Sequence, residues 1–462
     1  MSPRHRTHLP PPRDIPLLGS RSGNLLLRPW FDRVTLRWVT RLFFPLSRAW
    51  AAAAVAEGSE RRFARGVGVR PADLPRGATT RLLKAVQRTR SDYLAARATW
   101  MEQFYADAPP TPDSLASAES AREDAAHAYM AARLYALPIH LRQRLPGVAF
   151  AIREPETVAG EHGHRLDGPA TRFPPPPAAA MRRTHPVKGA YGEVSWLGWP
   201  SPGGEDTAWA RVYTPSDVSD PPTFIHLHGI GMEMEMWRAQ HEPANALARD
   251  AGIRVVRPEG PWHGSRMMDG YHGGEPILAF APSGYLTYLQ TWVAETAQLI
   301  RWARATSTGP VLLGGLSLGA LTAQIVGTVG AWWPADLRPD AMFLVATSGD
   351  MVDIGFEGAF AQGFGLAERL HAHGWTHEQL VGYRTLMEPQ GPPVMPPERV
   401  VMLLGRKDIV TPYAGGLALA RQWRLPSENV FVRNQGHFSA PLGLHQDAGP
   451  LHRAVEVLRE SA

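Results

Sequence analysis

From residue 207 onward, short apolar runs alternate with longer stretches of helical period, and few folds accept that grammar. The runs at 207–213, 223–227, 253–256, 311–316, 342–346, 400–404 and 430–432 are almost continuously apolar, as strands covered on both faces must be. Helical stretches at 242–250, 285–305 and 318–329, from Tyr413, and near 451–459 separate or follow them. In the second of these, Leu289, Trp292, Thr296, Leu299 and Ala303 share one face. This pattern predicts an α/β fold, a mostly parallel central sheet with helices on both faces. In such sheets reactive groups gather beyond the carboxyl ends of the strands.

The residues ahead of that pattern follow different rules. The first stretch, through Arg13, is basic and proline-rich and is expected to be disordered. Between 25 and 55 an apolar stretch is interrupted by Arg28, Arg33, Arg37, Arg41 and Arg48, so neither a secretory signal nor a spanning helix is expected. Arg33, Arg37 and Arg41 recur every four residues on one helical face, and Trp30, Val34, Trp38 and Leu42 on another. Such a helix docks on its own domain or lies on an anionic membrane surface. From 80 to 141 the helical period continues through Leu83, Val86, Leu94, Ala98, Met101 and Phe104, breaks at 108–114, and resumes with a small-residue stripe from Ala118 to Ala132. We read an α-hairpin without chemistry of its own. Residues 1–158 form a helical extension in this reading, 159–186 a linker marked by the run Pro174 to Pro177, and 187–462 the catalytic domain.

Composition removes several kinds of chemistry. With no cysteine among 462 residues, disulfides, thiolate nucleophiles, iron–sulfur clusters and cysteine zinc sites are excluded. A net charge of +5 from 48 basic and 43 acidic side chains is too diffuse to indicate nucleic acid. Lys84, Lys188 and Lys407 are the only lysines, an arginine bias that reads as the codon usage of a GC-rich bacterial genome.

Any nucleophile must then be a hydroxyl, a carboxylate, an amine or a metal-bound water, and one hydroxyl stands out. Gly315-Leu316-Ser317-Leu318-Gly319 sits between a strand-like run and a helix-ready one, where its glycines permit a sharp turn that lifts the Ser317 hydroxyl clear of the sheet. Serine needs a base, and the base needs an orienting carboxylate. Asp408 lies just past the strand at 400–404, and His437 just past that at 430–432. Asp350 and Asp353, past the strand at 342–346, are alternative acids. Two backbone donors should face the developing oxyanion. The Leu318 amide follows the nucleophile, and Ile230, with Gly231 next, lies in the glycine-bearing loop His228-Gly229-Ile230-Gly231. His228, Gly229, Met232, Trp262 and His263 are candidate substrate contacts. His226, His228 and His263 also suggest a metal, but lack the companion residues of a zinc motif.

The region from Phe224 to His445 resembles the α/β-hydrolase superfamily, whose chain order of nucleophile, acid and histidine it shares. Within it the resemblance is to the abhydrolase domain-containing protein 18 family. It rests on His226 to Gly231 followed by Trp237-Arg238, on Pro258 to Arg266, on Gly315 to Gly319, and on Gly436-His437-Phe438-Ser439. The resemblance implies hydrolysis of an ester on a lipid-like acyl substrate, at a membrane where that substrate is a phospholipid.

Two long segments, 267–282 and 350–397, interrupt the sheet pattern and are read as lids. The second carries Phe356, Phe360, Phe364 and Trp375, while Met232, Met234, Met236, Met267 and Met268 could line a pocket mouth. The expectation is a serine esterase for a small-molecule or lipid ester, with no cofactor, metal or nucleic-acid partner. It is expected in the cytoplasm, with peripheral contact at the inner membrane surface through the N-terminal helix. An acyltransferase using the same triad, or a non-catalytic membrane-associated or binding module, is the alternative.

Overall fold

The computed structural model describes residues 18, 20, 23, 27–203, 206–232 and 242–461. The basic start through Arg13, Met234, Met236 and Trp237-Arg238 lie outside the described residues, as does the Phe356 side chain.

Among the described residues ten strands form a single sheet: β1 (Arg182–Arg183), β2 (Val187–Gly189), β3 (Gly192–Pro200), β4 (Thr207–Thr214), β5 (Thr223–Leu227), β6 (Arg254–Pro258), β7 (Val311–Leu316), β8 (Ala341–Val345), β9 (Val400–Gly405) and β10 (Val430–Arg433). The order is β1-β3-β4-β6-β5-β7-β8-β9-β10, with β2 paired to β3. Pairing is antiparallel from β1 to β6 and parallel from β6 through β10. The chain leaves β5 toward β6 on one side and returns to β7 on the other. The order therefore reverses between β5 and β7, the point at which open α/β sheets form their crevice.

Each face of the sheet has its own core. The helices Ser283–Thr306 and Leu318–Val329 bury Leu289, Trp292, Leu299, Ile325 and Val326 on one side. Leu247, Leu451, Val455 and Leu458 fill the other. Against that second face Trp100 and Phe104, from the helix Arg76–Phe104, pack on Trp196 of β3 and Trp209 of β4. The hairpin partner, Pro112–Ala131, is latched to β4 by buried charge: Arg211 lies 3.0 Å from Glu123 and 3.7 Å from Glu119.

The N-terminal helices also hold a separate core of Trp50, Phe63, Leu82, Val86, Tyr129 and Ile139. The helix Pro29–Trp38 continues through a π-turn at Val39–Phe43 into Phe44–Val55. Pro45 cannot donate to the preceding turn, and His140 Nε2 binds the carbonyl of Arg41 instead, at 2.8 Å. Among the described residues no helix is long and apolar enough to cross a membrane.

The segment read as a linker, 159–186, is packed onto the domain. Arg165 is buried, Trp333 Nε1 donates to the Phe173 carbonyl at 2.9 Å, and Gln298 and Arg301 donate to the carbonyls of Pro177 and Pro176, each at 3.0 Å. Prolines lack an amide donor but keep their acceptors, so a proline run can be fastened through its carbonyls. The three strands that follow, β1 to β3, have no counterpart in the predicted series.

Candidate active site

Ser317 has φ +54° and ψ −116°, a conformation that costs energy for any side chain, and its amide donates to Val345 O at 2.9 Å. The flanking glycines make the turn feasible. A Cβ on Gly315 would come within 2.5 Å of the Gly319 carbonyl carbon, and one on Gly319 within 2.5 Å of the Leu227 carbonyl oxygen. Bare backbone at Gly319 thus lets the elbow after β7 press against the loop after β5.

That contact brings the oxyanion candidates beside the serine. Ile230 and Leu318 line the same cavity as Ser317, and Leu318, first in its helix, has no preceding turn to take its amide proton. Gly231 does not belong with them, because its amide donates to His263 Nε2 at 3.2 Å.

Two other predicted substrate contacts prove to be braces for this loop. His228 is buried, donates from Nδ1 to its neighbour's carbonyl on Gly229 at 2.8 Å, and accepts the Gly260 amide at Nε2 at 2.9 Å. His263 donates from Nδ1 to the Pro261 carbonyl at 2.9 Å and accepts the Gly231 amide at Nε2. Burial lowers the His228 pKa to about 4, aided by Arg257 and Arg266 and opposed by the Gly229 bond. Burial, then the neighbouring His228, drives His263 well below its ordinary value. Both rings are therefore neutral, with each nitrogen engaged by backbone. His226 likewise faces the Arg257 guanidinium at 2.8 Å through Nδ1. Trp262 packs against the core with φ +62°, and neither it nor Met232 lines the cavity; Gly229 does stand against Ser317, where an added Cβ would be 3.5 Å from Ser317 Cβ.

Asp408 and His437 meet. His437 Nδ1 lies 2.9 Å from Asp408 Oδ2, and both groups are buried. Asp408 Oδ1 accepts the amides of Val410 and Thr411, each at 2.9 Å. The Thr411 hydroxyl bridges the pair, 2.9 Å from Asp408 Oδ2 and 3.2 Å from His437 Nδ1, and reaches Ala346 O at 3.0 Å. The alternative acid Asp350 is engaged elsewhere, capping the helix Met351–Glu357 and facing Arg384 at 3.6 Å. No hydrogen bond joins the Ser317 hydroxyl to His437 among the described residues. Thr411 lines the cavity together with Ser317 and touches the imidazole.

The cavity has a volume of about 50 Å³. Its walls are Ile230, Leu278, Tyr285, Leu321, Met351, Ile354, Phe360, Leu366 and Val410, and burial keeps the Tyr285 phenol neutral. Both segments read as lids contribute, the first through Leu278 and the second through Met351 to Leu366. Met351 supplies the sulfur in this wall, whereas Met267 packs with the N-terminal helices.

Sequence reasoning missed Thr411, although Asp408-Ile409-Val410-Thr411-Pro412 carries the signature of an acid capping its own turn. It also missed Asp32, a buried carboxylate on the N-terminal helix. Asp32 Oδ1 accepts the amides of Phe438 at 2.6 Å and Ser439 at 3.0 Å, and Oδ2 accepts that of Gly436 at 3.1 Å and the Ser439 hydroxyl.

Residues 201–347 match the family alpha/beta hydrolase domain containing 18, a span holding the loop after β5 and the elbow. No protein of curated function matches the sequence. Among solved structures, an acylaminoacyl peptidase from Pyrococcus horikoshii aligns at 12% identity and TM-score 0.39 over 60% of this chain and 41% of that one. The chain thus spans about two fifths of that peptidase's length. An S-formylglutathione hydrolase from Agrobacterium tumefaciens aligns at 13% identity and TM-score 0.40, covering 60% of this chain and 100% of the other. An esterase from Pyrobaculum calidifontis aligns at 12% identity and TM-score 0.34, covering 67% and 90%. The sheet order, the elbow at its switch point and the match over 201–347 give the chain an α/β-hydrolase fold, similar over that span to alpha/beta hydrolase domain containing 18.

Proposed function

We propose that the protein is a serine hydrolase that cleaves carboxylic esters of apolar acyl groups through an acyl-enzyme on Ser317. The observation that carries this reading is a strained serine after β7 on the same side of the sheet order as a buried acid–imidazole pair after β9 and β10. With Nδ1 held by Asp408, Nε2 of His437 is the nitrogen that takes the serine proton. The alkoxide attacks the ester carbonyl, and the amides of Leu318 and Ile230 stabilise the oxyanion. His437 protonates the departing alcohol, and water then repeats the cycle on the acyl-enzyme.

The apolar walls support an acyl chain rather than a small charged ester. At about 50 Å³ the cavity is much smaller than the ~300–1,000 Å³ of sites that enclose a small molecule, so a long chain enters only if the helices at 351–366 move aside. Peripheral contact with an anionic membrane is part of the same reading. Val34 and Trp38 are half exposed, and Arg33, Arg37 and Arg41 are exposed alongside them. Co-sedimentation with anionic vesicles that is lost in a Val34→Glu/Trp38→Glu variant would support that contact, and none with the wild type would remove it.

A fluorophosphonate probe tests the chemistry directly. Labelling that maps to Ser317 and disappears in Ser317→Ala is expected, and a folded wild-type protein that takes no label overturns the reading. A series of p-nitrophenyl esters from acetate to palmitate then reads the acyl preference, where activity on acetate alone would remove the lipid-like substrate.

A further inference from the structure

The four residues Gly436 to Ser439 carry the imidazole, and most of the groups that hold their backbone come from more than four hundred residues away. Asp32 sits in the helix Pro29–Trp38 and is its one buried residue. Its two oxygens accept from the amides of Gly436, Phe438 and Ser439 and from the Ser439 hydroxyl, which itself accepts the Gly436 amide at 2.9 Å. A Cβ on Gly436 would come within 2.5 Å of the Asp32 carboxyl carbon, so a glycine is needed there for the carboxylate to reach the loop. The amides on both sides of His437 are thereby fixed by one anion, independently of the Asp408 bond at the ring.

We infer that Asp32 is a positioning residue for the catalytic base, and that the N-terminal helix is part of the active site rather than an appendage. This rests on the proposed role of His437 and extends it. A carboxylate with two oxygens can accept all four donors at once, which no neutral side chain of that size does. The Asp408 bond sets the tautomer and plane of the imidazole, but its Nε2 reaches a productive position only if the backbone bearing it is also held. Displacing a reacting group by about 1 Å can cost on the order of 10²-fold in rate.

A role confined to fastening the helix predicts something different, namely a less stable protein whose folded fraction turns over normally. The two are separated by measuring kcat per active site, with sites counted by end-point fluorophosphonate labelling in the full-length protein. Asp32→Asn keeps the shape but turns one acceptor into a donor facing donors. It should lower kcat per titrated site by about 10²-fold and slow probe labelling in parallel, with KM for a p-nitrophenyl ester changed less than about threefold. Ser439→Ala removes one partner and should give a smaller loss of the same kind, and it serves as the second variant should Asp32→Asn not fold. Glu57→Gln, on an exposed side chain of the same N-terminal region, should behave as wild type. Full kcat per titrated site in either site variant overturns the proposal. Absence of any labelling of the wild type would instead overturn the hydrolase reading on which it rests.

Discussion

The rim around Ser317 and the helical region before residue 140 are built by opposite means. At the rim, each chemical group is presented by the few residues around it. Gly315 and Gly319 open the elbow, and Asp408 closes its own turn through Val410 and Thr411. In the helical region almost nothing local is informative, and the decisive contacts span the chain. Asp32 reaches Gly436, Phe44 meets His272 edge-on at 4.6 Å and Phe364 at a tilt at 4.9 Å between ring centres, and Trp100 meets Trp196 and Trp209. Chemistry at the rim is local and support is distant, so substitutions in the two regions should fail in different ways.

The largest effects should come from the rim and leave the fold intact. Ser317→Ala should reduce ester turnover on the order of 10⁶-fold if the behaviour of well-studied serine hydrolases transfers. Circular dichroism and thermal unfolding should remain close to wild type. Asp408→Asn should lower kcat by about 10⁴-fold, because an amide in its place favours the wrong imidazole tautomer. Asp350→Ala gives the contrast within one measurement. Its loss should appear as about 1 kcal/mol of stability from a weakened helix cap, with turnover within a few-fold of wild type. A reversed outcome for the two acids would move the orienting role to Asp350 and break the comparison at its rim side.

How much of this was legible in the sequence follows from the same division. The alternating strands, the turn at Ser317 and the strand-end positions of Asp408 and His437 could be read because each lies in a local pattern of period or turn chemistry. His228 and His263 were read as substrate contacts because a histidine beside a glycine loop looks identical in sequence whether it faces a ligand or two backbone groups. Only the bonds to Gly260, Pro261 and Gly231 distinguish these. The amphipathic helix was legible as a helix, yet its buried face was not. Period marked the Trp30–Val34–Trp38 row, whereas the residue it buries is a single carboxylate. Nor could the proline-rich 159–186 be told from a linker, since it is held by carbonyls, which every residue possesses.

The helical region offers a substitution of the opposite kind. Trp100 is buried against Phe104, Trp196 and Trp209, with the Arg122 guanidinium 5.1 Å from its ring centre. Trp100→Ala should destabilise the protein by about 3–5 kcal/mol through lost contacts and a residual cavity, read by denaturant unfolding. Turnover per labelled site should stay near wild type, because none of these partners touches the rim. A fall in kcat per site comparable to that of a rim variant would show that the hairpin, like Asp32, reaches the chemistry.

A pH-dependent effect is expected where the two kinds of support meet, in the neutral histidine beneath the loop after β5. His228 has a folded-state pKa of about 4 against 6.5 when unfolded, so between those values the unfolded chain binds more protons. Stability from this group is therefore fully present above pH 6.5 and lost as pH falls toward 4. The change is roughly 3 kcal/mol, at about 1.4 kcal/mol for each unit. Protonation would put a hydrogen on Nε2, which faces the Gly260 amide, so two donors would meet where a bond had been. His228→Gln, which cannot charge, should flatten that part of the stability profile in urea titrations from pH 4 to 7. An unchanged slope would mean that the acid sensitivity resides in other buried rings, such as His162, whose pKa is also lowered to about 4 by burial and by Arg165.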